Sequence, residues 1–98
     1  MNIGIASPSM GEAEKRAVLA VMDSGHLVQG KVTEAFEQEF AGYHGAKHGI
    51  AVNNGTTALI AALMAHEIGP GDEVIAAGFT FVASISAIVY SGATPVLA

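Results

Sequence analysis

Two hydroxyl side chains and a glycine stand together in the segment Asn53-Asn54-Gly55-Thr56-Thr57, between two apolar stretches. The stretch before the segment has the pattern of a buried strand, and the stretch after it that of a helix. The first N–H groups of a helix have no partner inside the helix and carry partial positive charge. Gly55 has no side chain to keep an anion away, and Thr56 and Thr57 add hydroxyl donors. The segment therefore predicts a phosphate site.

The same segment also has a simpler interpretation as an ordinary helix cap. In that case the Thr56 side chain bonds a backbone N–H of the next turn and binds no ligand. The segment lacks the lysine of the pattern GxxxxGK[ST] and the spacing of GxGxxG. It is therefore neither a P-loop nor a dinucleotide-binding fingerprint. From these residues alone, the cap and the phosphate site both stay open.

A second candidate is the segment Gly78-Phe79-Thr80-Phe81, which follows the next predicted strand. In α/β sheets, ligands bind at the carboxyl ends of the strands, so we expect both segments at one edge of the sheet. One aromatic ring could then lie flat against a planar ligand whose phosphate the first segment holds. The alternative is that both rings pack in the core.

The other polar residues predict no metal site and no acid–base pair. The four histidines have no metal-ligand spacing on a helix face, and the chain has no cysteine. The acids of the second predicted helix form a solvated face rather than a buried catalytic group. These acids are Glu34, Glu37 and Glu39.

Composition limits the class of protein. The chain has 98 residues, of which 51% are apolar and 13% charged, and its net charge is −5. These values favour one globular α/β domain and argue against binding to nucleic acid or to an anionic membrane. The start of the chain has neither the basic residues nor the long apolar run of a signal peptide. Together with the absence of cysteine, this favours the cytoplasm.

The order of the elements predicts how the two candidate segments are positioned. Helices and strands alternate in the second half of the chain, which is typical of a parallel sheet with helical crossovers. The strands are apolar on both faces, as a covered parallel sheet requires. The predicted helices are 12–23, 31–43, 56–66 and 80–90, and the predicted strands are 48–53, 73–77 and 94–98.

Four motifs in order carry a family resemblance: SPSMGEAE, SGHLVQG, FEQEFAGYHGAKHGIAVNNGTTAL and GPGDEVIAAGFTFVASISAIVYSGATPVL. With these motifs the chain resembles, over essentially its whole length, the start of the DegT/DnrJ/EryC1/StrS sugar aminotransferases. The resemblance implies the N-terminal part of the large domain of a fold type I transferase that depends on pyridoxal 5'-phosphate. Residues 1–45 would supply N-terminal helices, and residues 46–98 the start of the cofactor-binding sheet.

The resemblance also implies roles for single residues. Gly55, Thr56 and Thr57 match the loop that holds the cofactor phosphate, and Phe81 matches the aromatic residue that stacks on the pyridine ring. Positions near the bound sugar substrate are matched by Ser7, Pro8 and Leu27, the last of them in the loop 24–30. Family members usually have proline where this chain has Lys31.

The family's Schiff-base lysine and its acidic partner for the pyridine nitrogen lie beyond residue 98. None of the lysines in this chain matches that motif, so we assign no catalytic residue and expect the 98 residues alone to be inactive. The full-length protein would transfer an amino group from glutamate or glutamine to a nucleotide-linked keto sugar, as a homodimer. Two alternatives are a family dehydratase that lacks the lysine and a non-catalytic phosphate-binding α/β module.

The resemblance makes one prediction about topology. In fold type I enzymes the first strand of the sheet lies away from the second and third, and later strands fill the gap. The strand that ends at Asn53 is therefore expected to have no neighbour within this chain. An unpaired parallel edge invites association, so we expect the isolated segment to rearrange or to pair with another copy.

Overall fold

The computed structural model describes residue 4 and residues 6–98 as a mixed α/β protein. The chain divides into two compact units, Met1–Gly49 and Ile50–Ala98. Among the described residues, the first unit is helical and the second holds two helices and two strands. None of the helices that the structure describes is both long enough and apolar enough to cross a membrane.

The first unit begins its regular structure with α1, Glu12–Asp23, as predicted. The Glu14 carboxylate accepts a hydrogen bond of 2.7 Å from the backbone N–H of Gly11. Hydrogen bonds from the backbone N–H groups of Glu14 and Gly11 hold the pKa of the Glu14 carboxyl below its ordinary value. After the helix, Gly25 adopts a φ of 68°, the left-handed conformation that a side chain disfavours.

Helix α2, Lys31–His44, follows and ends one residue later than predicted. Phe36 and Phe40 lie one helical turn apart, and their ring centroids are 5.6 Å from each other. Both rings remain more than half exposed, whereas Ala41 on the same helix is buried. The apolar face of α2 is therefore formed but is not covered by the described residues.

The predicted strand over 48–53 is wrong, because these residues adopt no regular secondary structure. A strand exists only through hydrogen bonds to a neighbouring strand, and no strand of the described chain lies beside this segment. Within the first unit, Gly49 lies close to α2, since a Cβ at this position would be 2.5 Å from the carbonyl oxygen of Glu37. Whether this stretch pairs with a strand of the full-length protein stays a prediction.

The second unit contains the predicted parallel pair. Strand β1, Glu73–Ala76, lies beside β2, Thr94–Leu97, with α4, Ala83–Ser91, between them in sequence. Helix α3, Gly55–Ala65, packs against α4, and the most buried side chains lie in and just after α4. Helix α4 begins three residues later than the predicted start at Thr80.

One face and one edge of the two-stranded sheet are open. Ile75 on β1 is 74% exposed, although parallel sheets are normally covered on both faces. The N–H groups of Thr94 and Ala98 donate to carbonyls on the β1 side. Because N–H directions alternate along a strand, position 95 faces the outer edge of β2, where proline has no N–H to donate. We therefore expect any further strand to pair with β1 rather than with β2.

The C-terminus of α3 contains an unusual residue. The N–H of Glu67 donates to the Met64 carbonyl and that of Ile68 to the Leu63 carbonyl, both at 3.0 Å. This hydrogen-bond pair is a Schellman motif, in which the residue after the cap is left-handed and usually glycine. Here that residue is Glu67, with a φ of 58°.

We predict that Glu67→Gly stabilises the full-length protein by about 1 kcal/mol, because glycine adopts a left-handed conformation without the steric cost of a side chain. The change would appear as a higher melting temperature in calorimetry. Glu67→Ala is the matched control, since it removes the carboxylate near the negative end of the helix but keeps a Cβ. Equal gains from both variants would contradict the backbone explanation.

Candidate functional site

The N-terminus of α3 is capped by a residue that the sequence analysis did not assign. Asn54 has an extended backbone, with φ −165° and ψ 168°, and its side-chain oxygen Oδ1 accepts a hydrogen bond of 2.9 Å from the N–H of Thr57. The Thr57 hydroxyl Oγ1 donates to the same oxygen at 3.1 Å. The prediction of Thr56 as the cap is wrong. Asparagine is a stronger N-cap than threonine, and this preference could have identified the cap from the sequence.

The two threonines therefore differ in what they can offer a ligand. Both are half-buried, but the Thr57 hydroxyl is already bonded to Asn54. Three donors have no hydrogen-bond partner within the described residues: the backbone N–H groups of Gly55 and Thr56, and the hydroxyl of Thr56. These three donors lie in the first turn of the helix, where partial positive charge favours an anion.

Phe81 lies in the loop between β1 and α4, whereas the predicted helix 80–90 had included it. Its side chain is 76% exposed, and that of Phe79 in the same loop is fully exposed. The alternative that both rings pack in a core is therefore wrong for the part of the chain that the structure describes. In the described part of the chain, no hydrogen bond joins Phe81 to the first turn of α3.

The residues predicted to lie near the substrate belong to the first unit. Ser7 and Pro8 are exposed in the irregular segment before α1, and Leu27 is 71% exposed in the loop between α1 and α2. In that loop a Cβ at Gly30 would lie 2.7 Å from Nε2 of His26. A side chain at position 30 would therefore require the exposed His26 imidazole to shift.

Lys31 starts α2 in the position where the resembling family usually has proline. The first helical position is the one that proline favours, because its N–H is unpaired there in any case. The helix thus begins at this residue with lysine in place of proline.

A cavity in the first unit contains none of the predicted site residues. It has a volume of about 430 Å³ and lies between α2 and the segment 46–49. Its ionisable lining residues are Glu34, Glu37, Lys47 and His48, all of them exposed or half-buried. Among the residues that the structure describes, no group of three or more acids or histidines could hold a metal ion.

Comparison with known proteins supports the resemblance noted in the sequence. The sequence model of the DegT/DnrJ/EryC1/StrS aminotransferase family matches residues 8–98. The chain is 49% identical over 96 residues to GDP-perosamine synthase of Caulobacter vibrioides, covering 97% of this chain and 26% of that protein. It is 47% identical over 91 residues to the spore coat polysaccharide biosynthesis protein SpsC of Bacillus subtilis, covering 93% and 23%.

A solved structure shares the fold. The sugar aminotransferase Spr1654 of Streptococcus pneumoniae, in a form with pyridoxal phosphate, has a TM-score of 0.88 and 37% identity, covering 99% of this chain and 25% of that one. The chain spans about a quarter of the length of the curated relatives it matches.

The cap makes a testable prediction about the first turn of α3. Asn54→Ala removes the acceptor for Thr57 and should cost about 1 kcal/mol of local helix stability. The backbone amides of Thr57 and Ala58, which donate to Asn54, would then exchange with deuterium about fivefold faster in the full-length protein. Asn54→Ser, which retains a capping oxygen, should exchange much as the wild type does. If both variants exchange equally fast, the Asn54 side chain is not the cap.

Proposed function

The chain belongs to the DegT/DnrJ/EryC1/StrS aminotransferase family, and from this premise we propose that its full-length protein is a nucleotide-sugar aminotransferase dependent on pyridoxal phosphate. The observation that carries the proposal is the similarity of nearly the whole chain to named sugar aminotransferases. The unpaired donors at the start of α3 supply independent support, because a phosphate group fits them chemically.

The phosphate cradle is formed by the first turn of α3. Gly55 and Thr56 donate backbone N–H groups, and Thr56 also donates its hydroxyl. The N–H and the hydroxyl of Thr57 already donate hydrogen bonds to Asn54. Thr57 therefore acts mainly by fixing the position at which the helix begins. Thr56 thus binds the phosphate, and Thr57 positions the first turn of the helix.

Phe81 provides an apolar face for the pyridine ring of the cofactor. An exposed aromatic side chain at the end of a strand can stack on a flat heterocycle, and covering both surfaces stabilises the complex. Pyridoxal phosphate, when bound, supplies the electron sink for amino-group transfer. The residues of this chain hold and orient that group, while the lysine and the acid that complete the site belong to the rest of the protein.

Ser7, Pro8 and Leu27 contact the sugar substrate in this proposal, and their exposure leaves them available for it. The substrate is a nucleotide-linked keto sugar, and the amino donor is glutamate or glutamine. The working protein is a homodimer in the cytoplasm, a compartment that agrees with the absence of cysteine. A family dehydratase is the alternative, and the residue at the lysine position distinguishes the two.

The proposal predicts that the full-length protein binds pyridoxal phosphate and gains a visible absorption band. With glutamate or glutamine and a nucleotide-linked keto sugar, mass spectrometry should detect the aminated sugar. A dehydrated product would support the alternative. Absence of the band from a full-length protein that contains the family's lysine would overturn the proposal.

The division of work between the threonines predicts different effects of two isosteric substitutions. Thr56→Val should weaken cofactor binding on the order of tenfold, because it removes one hydrogen bond to a charged group. Thr57→Val should weaken it less, since the lost hydroxyl bonds Asn54. Absorbance titration of the full-length variants measures both affinities. Thr56→Ser is the control and should bind like the wild type, whereas a larger loss for Thr57→Val would contradict this assignment.

A further inference from the structure

The residue pair Asn54-Gly55 has the features of a site of spontaneous chemical modification. Both residues are exposed, and Asn54 has an extended backbone outside the helix. The peptide nitrogen of Gly55 donates no hydrogen bond to any residue that the structure describes. A free peptide nitrogen next to an asparagine side chain can attack the amide carbon of that side chain.

We propose that Asn54 undergoes spontaneous deamidation that weakens cofactor binding. The nitrogen of Gly55 loses its proton and forms a bond to Cγ of Asn54, while the bond from Cγ to the side-chain nitrogen breaks and ammonia leaves. Water then opens the five-membered imide at one of its two carbonyls. The products are aspartate or isoaspartate at position 54, with no oxidation or reduction.

The local structure favours this reaction at Asn54 rather than at Asn53. The residue after Asn54 is a glycine, so no Cβ hinders the approach of the nitrogen. Asn53 is followed by Asn54, whose side chain does hinder it. In addition, Oδ1 of Asn54 accepts two hydrogen bonds from Thr57, which stabilise the negative charge that this oxygen gains during the attack.

The consequence for the cofactor rests on the proposed function. Aspartate caps helices as well as asparagine does, so the start of α3 survives in that product. It carries a negative charge, however, beside the donors proposed to hold the cofactor phosphate, and like charges at short range repel. A bound phosphate in turn occupies the N–H of Gly55 and protects Asn54 from the reaction.

The modification is tested on the full-length protein, incubated without and with pyridoxal phosphate and then digested for peptide mass spectrometry. In the cofactor-free sample we expect Asn54 to convert about tenfold faster than Asn53, its internal control, because only Asn54 precedes a residue without Cβ. The cofactor should slow the conversion at Asn54. Equal rates at both asparagines would overturn the proposed modification.

The effect on binding is tested by absorbance titration of three proteins. Asn54→Asp should bind pyridoxal phosphate on the order of tenfold more weakly than the wild type, because it adds one negative charge. Asn54→Ser keeps a cap without charge and should bind the cofactor more tightly than Asn54→Asp, and circular dichroism should show equal helix content in all three. Aged wild type, separated by ion exchange, carries the added charge as aspartate or isoaspartate and should also bind the cofactor more weakly than fresh protein.

Equal affinity of Asn54→Asp and Asn54→Ser would overturn the predicted consequence. If the wild type itself binds no cofactor, the proposed function fails instead, while the peptide mapping still decides whether Asn54 deamidates.

Discussion

The side-chain oxygen of Asn54 accepts both hydrogen bonds that Thr57 can donate from its N–H and its hydroxyl. This interaction determines where α3 begins and which donors of its first turn remain free. If Thr56 were the cap, its hydroxyl would be used inside the protein and Thr57 would face the ligand. With Asn54 as the cap, the free donors are those of Gly55 and Thr56. The assignment of the phosphate cradle therefore depends on one asparagine side chain.

The second constraint is that strands and apolar faces need partners. The two strands pair with each other but leave one sheet face exposed, and the aromatic face of α2 is more than half exposed. The chain covers about a quarter of the length of its relatives. We expect further parts of the full-length protein to cover these faces, because apolar surface of this extent is normally buried. Pro95 indicates that added strands pair with β1.

The sequence predicted those elements whose signals are local. The bounds of α1 follow from its acidic first turn and its terminal Ser-Gly, and β1 and β2 follow from short apolar runs between turn residues. The prediction of a strand over 48–53 was wrong, because an apolar pattern cannot show whether a neighbouring strand exists. The cap was assigned to Thr56 instead of Asn54, although cap preferences favoured asparagine. The pattern indicated a phosphate site in the segment 53–57, and the family resemblance assigned that site and Phe81 to the cofactor. Neither the exposure of Phe81 nor the difference between the threonines could be read from the pattern.

The most direct test of the central claim is a crystal structure of the full-length protein with pyridoxal phosphate. We predict phosphate oxygens at about 2.7–3.2 Å from the backbone nitrogens of Gly55 and Thr56 and from the Thr56 hydroxyl. The bonds from Thr57 to Asn54 should remain in place. A phosphate bound through the Thr57 hydroxyl with Asn54 released, or a phosphate bound away from the first turn of α3, would contradict the account.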